Sequence, residues 1–189
     1  MLAAQPSQAQ FYVSGSAGYL QFRDNSASTP IGTVTGEYNP GFAINGAAGY
    51  KFGFGLRLEG ELGYARTSPD KIKVNGQTVA TVGGGDTNLF TGTANAFYDI
   101  KTGTSLTPYL GGGIGFVHGD SSDATVAGVR VNGGSGTDFL WLVEAGVSIA
   151  VTDRLSVVPA YRYMQISNSQ NGFDDDSAHL FKIGLRYSF

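Results

Sequence analysis

The chain has 189 residues, a formal net charge of −3 and a charged fraction of 14%, well under the roughly 25% of an ordinary soluble domain. No basic block stands out to engage nucleic acid. Cysteine is absent, which excludes a disulfide framework and a thiolate metal site. No stretch approaches the ~18 consecutive apolar residues of a membrane helix. The near-zero mean hydropathy averages over alternation, so it is blind to membrane strands.

The opening "MLAAQPSQAQ" has neither a basic n-region nor an apolar h-region. "LAA" before Gln5 and "SQA" before Gln10 resemble small-residue cleavage sites. Residues 1–9 are expected to be the remnant left after signal-peptide cleavage, carrying an added Met.

From there the apolar residues recur with period two, the signature of strands. Eight candidates follow in chain order. The first, 10–22, puts Phe11, Val13, Ala17 and Tyr19 on one face. The second, 41–52, puts Phe42, Ile44, Ala48, Tyr50 and Phe52 opposite Ala43, Asn45, Ala47 and Lys51. In the third, 56–66, Leu56, Leu58, Leu62 and Tyr64 oppose Arg57, Glu59 and Glu61. In the fourth, 88–100, Phe90, Ala94, Ala96, Tyr98 and Ile100 oppose Thr91, Thr93, Asn95 and Asp99. The fifth, 107–118, is rich in glycine, with Leu110, Ile114 and Phe116 together. The sixth, 138–151, sets Phe139, Trp141, Val143, Val147, Ile149 and Val151 against Leu140, Leu142, Glu144, Gly146 and Ser148. The seventh, 154–166, sets Leu155, Val157, Tyr161 and Tyr163 against Ser156, Ala160 and Arg162. Its Pro159 predicts a lost ladder bond or a bulge. The eighth, 178–189, places Phe181, Ile183, Leu185, Tyr187 and Phe189 on one face and Lys182 and Arg186 on the other.

The connections alternate in length. Long ones fall at about 23–40, 67–87, 119–137 and 167–177, and short ones near Gly53–Gly55, Lys101–Leu106 and Thr152–Asp153. In an up-and-down meander, successive connections lie at opposite ends, so long loops gather at one end and short turns at the other. Outer-membrane barrels share this asymmetry, with long loops extracellular and short turns periplasmic. "KIKVNGQTV" carries an Asn75-Gly76 hairpin signal, and "VRVNGG" at Val129–Gly134 is a similar sequence. Strands three to six are therefore expected to run on as hairpins.

A soluble eight-stranded barrel would also alternate, with its apolar face inward. Here the other face is mostly Gly, Ala, Ser and Thr with few charges, too few for a water-facing surface. The apolar face is too crowded for a narrow interior. Aromatics near strand ends (Tyr50, Phe52, Tyr64, Tyr98 and Tyr163, with Tyr187 and Phe189) suit interfacial girdles. The reading is an all-β, eight-stranded antiparallel up-and-down transmembrane β-barrel over residues 10–189. Arg57, Glu59, Glu61, Glu144, Arg162, Lys182 and Arg186 then point inward, with Lys51 near the short-turn end. Buried charges need partners, so Lys182 and Arg186 are expected to find Glu partners, and Glu144 with Arg162 is the best single pair.

"FYVSGSAGYLQF", "RLEGELGYAR", "TPYLGGGIGF", "LSVVPAYRYMQI" and "HLFKIGLRYSF" resemble the first, third, fifth, seventh and last strands of the small outer-membrane barrel superfamily. That superfamily includes the OmpA barrel domain and the opacity-protein-like surface antigens. The resemblance implies a signal peptide, four variable surface loops, a packed polar interior and both termini in the periplasm of a Gram-negative bacterium. It also implies a C-terminal assembly signal, Phe181, Ile183, Leu185, Tyr187 and Phe189, read by the barrel-assembly machinery. No peptidoglycan-binding domain is expected after the last strand.

For chemistry the sequence offers little. His118 and His179 fall near the long-loop rim, and Ser177 precedes His179 by two, but no catalytic motif is formed. Asp174, Asp175 and Asp176, with Asp120 and Asp123, form an acidic set without EF-hand spacing; a solvated loop tip is the plainer reading. "GGGIGF" at Gly111–Phe116 lacks the Lys and helix of a phosphate loop, and glycines relieving interior crowding explain it better. Arg23, Arg66, Lys71, Lys73 and Arg130 are loop or rim cations that could meet lipopolysaccharide phosphates. The expectation is a monomeric scaffold, not an enzyme, without cofactor or metal, its interior plugged by polar and charged side chains. Its partners would be outer-membrane lipid and lipopolysaccharide, the assembly machinery, and an extracellular ligand met through the loops. The competing readings are a narrow low-conductance pore and, more remotely, a lipid-modifying enzyme.

Overall fold

The computed structural model describes residues 9–23, 25–29, 32–74, 77–84, 86–126, 129–167 and 176–189, and no described residue is helical. In chain order the strands are β1 (Gln10–Phe22), β2 (Asn25–Thr29), β3 (Gly32–Lys51), β4 (Leu56–Val74), β5 (Gln77–Gly84) and β6 (Thr87–Asp99). They continue as β7 (Leu106–Ser121), β8 (Ala124–Val126), β9 (Val129–Val131), β10 (Ser135–Ala150), β11 (Leu155–Ser167) and β12 (Asp176–Ser188). Eight of them close a barrel in the order β1-β3-β4-β6-β7-β10-β11-β12, and β12 returns to β1 through a ladder from Tyr12–Ser188 to Phe22–Ala178. All these neighbours are antiparallel. Closure leaves the barrel without a free edge, the condition for a sheet to cross a bilayer.

Period two sends alternate side chains to opposite faces. Along β12 and the Phe189 that follows it, Phe181, Ile183, Leu185 and Phe189 are more than half exposed, whereas Leu180 and Arg186 are buried. The same outward band contains Phe11, Phe42, Ile44, Leu62, Leu110, Ile114 and Phe139. A continuous exposed apolar band of this extent is unsustainable in water and is what hydrocarbon requires.

At one end the connections are tight. In the β3–β4 turn Gly55 takes a positive φ of 102°, open to glycine at no steric cost. Its amide donates to the Phe52 carbonyl at 3.0 Å, and its carbonyl accepts the Asp99 amide at 2.8 Å, tying neighbouring turns together. In the β10–β11 turn the Thr152 hydroxyl accepts the amides of Arg154 and Leu155 at 3.3 and 3.0 Å.

At the other end the wall continues past the barrel. β3 and β4 stay paired out to Val34–Val74, β2 adds to β3, and β5 adds to β4. β5 then pairs with β8, and β8 with β9. The long extensions are thus on strands two and three rather than evenly on three to six. The Asn75-Gly76 hairpin signal lies outside the described residues; β4 and β5 are paired from Val74–Gln77 to Lys71–Thr81. "VRVNGG" is not a second such turn: the β8–β9 hairpin closes between Val126 and Val129, and Asn132–Gly134 leads into β10. Pro159 breaks the ladder without a bulge. Pairing of β10 with β11 lapses between Gly146–Ala160 and Ile149–Val157, and the register is unchanged.

Candidate functional site

The inward residues form two charged layers beneath an apolar chamber. Nearest the tight turns, Arg57 is completely buried. Its Nε donates to Asp99 Oδ1 at 2.7 Å and its Nη1 to the Tyr12 hydroxyl at 3.2 Å. Tyr12 in turn donates to Glu59 Oε2 at 2.8 Å, and Lys51 Nζ lies 3.0 Å from Asp99 Oδ2. The Arg57 guanidinium sits 4.7 Å from the centre of the Tyr109 ring and 4.9 Å from that of Phe97. Ring faces attract cations most where water is excluded.

The next layer is centred on Arg162. Nε donates to Glu144 Oε2 at 2.7 Å, while Nη1 and Nη2 grip Glu61 Oε1 and Oε2 at 2.5 and 2.9 Å. Lys182 Nζ adds contacts to Glu144 Oε2 at 2.8 Å and Glu61 Oε2 at 3.4 Å. β4 and β11 lie on opposite walls of the barrel, so the Arg162–Glu61 bond spans the bore at that height. The Tyr109 hydroxyl donates to Glu144 Oε1 at 2.7 Å and ties this layer to the ring stack below. Two carboxylates, a bidentate guanidinium and an ammonium satisfy one another here, the arrangement in which buried ions are tolerable.

Glu144 and Arg162 are thus in contact as partners, with Glu61 and Lys182 beside them. Arg186 differs. It is buried, yet none of the described carboxylates lies within 4 Å of its nitrogens. Its guanidinium instead faces the Tyr12 and Tyr109 rings at 5.1 and 5.8 Å. The expected Glu partner is missing because the nearby carboxylates already belong to Arg57, Arg162 and the lysines.

Sequence reasoning does not single out three members of these layers: Asp99, Tyr12 and Tyr109. Strand parity holds the signal, since Tyr12 alternates with Phe11 and Val13, and Tyr109 with Leu110. An aromatic residue on the inward parity of a narrow barrel needs a polar partner for its hydroxyl.

Above the charges the interior turns mostly apolar, with Asn45, Thr91 and Thr93 among its lining. Leu20, Ala43, Ala65, Val117, Leu140, Leu142, Ala178 and Leu180 are buried there, with Phe22, Leu89 and Met164 against them. "FLWLV" at 139–143 is apolar on both parities and supplies both faces. At the loop end the chamber meets a cavity of about 270 Å³ bordered by Phe22, Thr67, Val117, Asp138, Ile166 and Asp176.

Glycines make room for these side chains. An added Cβ on Gly113 would strike the Asn95 side chain, and one on Gly111 would strike the Ala96 carbonyl and Phe97. Interior fit, not phosphate binding, accounts for Gly111 and Gly113; Gly112 is on the outward parity, where a Cβ would meet the Leu142 carbonyl.

On the outside, Phe11, Tyr50, Phe52 and Phe54 form a chain of ring contacts at the turn end, with centroids 4.8 to 5.6 Å apart. Tyr64 packs between Phe42 and Phe90, Tyr163 packs between Trp141 and His179, and Tyr98 is exposed. His179 Nδ1 is 2.7 Å from the Tyr161 hydroxyl, and His118 Nδ1 is 2.7 Å from Thr137 Oγ1. Neither histidine is bonded to a described serine. Among the described residues no three His, Asp or Glu side chains gather as a metal site. Asp174 and Asp175 lie outside the described residues, Asp120 sits 3.5 Å from His118, and Asp123 accepts the Gly133 amide at 2.9 Å. Arg66 pairs with Asp86 on the rim. The Ser68 hydroxyl, then Arg66, hold the Asp86 carboxyl below its ordinary range. The Arg23 amide donates to the Ser177 carbonyl at 2.9 Å, and the side chains of Lys71, Lys73 and Arg130 lie outside the description.

A closed barrel with an apolar outer band, aromatic belts and a cross-braced interior defines an integral membrane β-barrel protein. The chain belongs to the Outer membrane protein beta-barrel domain family, whose profile matches residues 1–189. It is 28% identical to outer membrane protein PagN of Salmonella typhimurium, over 50% of this chain and 47% of that protein. Among solved structures, Neisserial surface protein A shares the fold with a TM-score of 0.64 at 24% identity, over 95% of this chain and 97% of that one. The attachment invasion locus protein Ail of Yersinia pestis gives 0.56 at 18% identity, over 95% and 99%. The relatives are outer-membrane proteins of Gram-negative bacteria.

Proposed function

We propose that the protein is a cell-surface scaffold of the Gram-negative outer membrane. In this reading the sheet beyond the rim faces outward for adhesion or recognition, both termini lie in the periplasm, and the charged layers plug the bore. The observation that carries it is the wall continuing from β2 through β3, β4, β5 and β8 to β9, well past the length needed to cross a bilayer. Strands built beyond the membrane add nothing to spanning it, whereas strand edges and loop faces are suited to engaging a partner. Residues 1–9 would remain after signal cleavage, and Phe181, Ile183, Leu185, Tyr187 and Phe189 would serve the assembly machinery. Lipopolysaccharide would surround the rim cations of a monomer, and no chemistry is assigned to His118 or His179. The second reading, a low-conductance pore, draws on the cavities above and below the Arg162 layer, but the bond across the bore favours the plug.

A tag inserted at Gly133–Gly134 should be labelled on intact cells, and one at Gly103 only after permeabilisation. Labelling in the opposite pattern would reverse the orientation. Ail has been crystallised with the heparin analogue sucrose octasulfate, which makes sulfated polysaccharide a first probe. Cell binding to a ligand so found should disappear when 77–84 and 124–131 are deleted; binding unchanged by both deletions would refute recognition through this sheet.

A further inference from the structure

Between the two charged layers lies a cavity of about 30 Å³, room for one particle the size of a water or a halide ion. Ser14, Ser16, Arg57 and Arg186 line it, each from an inward position. Each of these arginines has a buried nitrogen without a hydrogen-bond partner, Nη2 of Arg57 and Nε of Arg186. The carboxylates on the same wall are already engaged: Glu59 accepts from Tyr12, and Glu61 and Glu144 are held by Arg162 and Lys182.

The charge count points the same way. Below the apolar chamber the buried Arg57, Arg162, Lys182 and Arg186 equal Glu59, Glu61, Asp99 and Glu144 in number, and Lys51, its side chain 28% exposed beside Asp99, makes one cation more than carboxylates among the described residues. Ring faces offset part of the Arg186 charge, yet an ion without a counter-charge is costly to hold in a low-dielectric site. A water molecule could accept a hydrogen bond from Arg186 but would leave the charge standing. A small anion does both.

We propose that this cavity binds a monovalent anion of the size of chloride, held by Arg186 and Arg57 with the Ser14 and Ser16 hydroxyls at hand. The site is independent of the surface sheet and of any loop ligand. It makes the anion a structural component of the plug, completing the charge balance between the two layers.

The test uses the full chain, folded in detergent micelles, with chloride or bromide replacing gluconate at constant ionic strength. Gluconate is too large for the cavity. The unfolding midpoint should rise saturably with either halide. Arg186→Gln, which removes the excess cation, should lose that response, and so should Ser14→Val, which fills the space while keeping both arginines. Crystals grown in bromide should show an anomalous peak beside Arg186 Nε. Equal midpoints in gluconate and chloride for the wild type, a halide response that survives in either variant, or no bromide peak beside Arg186 would each overturn the proposal.

Discussion

Arg162→Met should destabilise the folded barrel by about 3–5 kcal/mol, the usual penalty for removing one partner from a buried ion cluster. The methionine fills much of the volume but leaves Glu61 and Glu144 facing each other with only Lys182 between them. The measurement is reversible urea unfolding in lipid vesicles, followed by the fluorescence of Trp141. The decisive comparison is the triple variant Glu61→Gln, Glu144→Gln, Arg162→Met. With no bare carboxylate left, most of the loss should return. If the single variant unfolds at the wild-type urea concentration, the cluster is not the brace described. Arg162→Lys should fall between, because an ammonium cannot reproduce the bidentate grip on Glu61 across the bore.

Gly111→Val should be nearly as damaging. Gly111 sits directly opposite Phe97 on the neighbouring strand, facing inward. Any Cβ there meets the Ala96 carbonyl and the Phe97 backbone, which have no free end to swing aside. The barrel must spread or the ladder must slip, at a cost of about 3 kcal/mol or more. Gly60 is the control: it faces outward, and a Cβ added there would have no heavy atom within 4 Å. Gly60→Val should fold at the wild-type level in vesicles while Gly111→Val accumulates unfolded. Equal folding yields would mean that the β6–β7 wall has slack that the close contacts deny.

Strand parity was legible from the sequence because side-chain direction follows the pleat with period two. Leu58 and Leu62 outward, Glu59 and Glu61 inward, needs no knowledge of any neighbour. Adjacent partners were legible too, since hairpin connectivity puts β10 beside β11 and so Glu144 opposite Arg162. What parity cannot supply is height across the bore. Whether Glu61 meets Arg162 or Arg186 from the far wall depends on the stagger accumulated around the barrel, which no single strand encodes. That is why the Glu61–Arg162 bond, the Tyr109 link and the seating of Arg186 on tyrosine rings in place of a carboxylate emerge only in three dimensions. The apolar chamber was legible by parity, since Leu140 and Leu142 share the face of Glu144 and Leu180 that of Lys182, but that they gather with Leu20 and Ala43 above the charged layers depends again on stagger. The loop sheet was least legible, because β5–β8 pairing joins two loops with few side-chain preferences of their own.

The apolar band of Phe42, Ile44, Leu62, Ile114, Phe181 and Ile183 faces lipid and not a core. The most direct measurement is folding with and without an amphiphile, read by circular dichroism and by electrophoretic migration of unheated against heated samples. Urea-denatured protein diluted into detergent micelles or vesicles should gain strand signal and migrate as a distinct, heat-modifiable band. The same protein diluted into plain buffer should form no such band and should aggregate. A cooperative, monomeric, soluble β-protein in plain buffer would contradict the account.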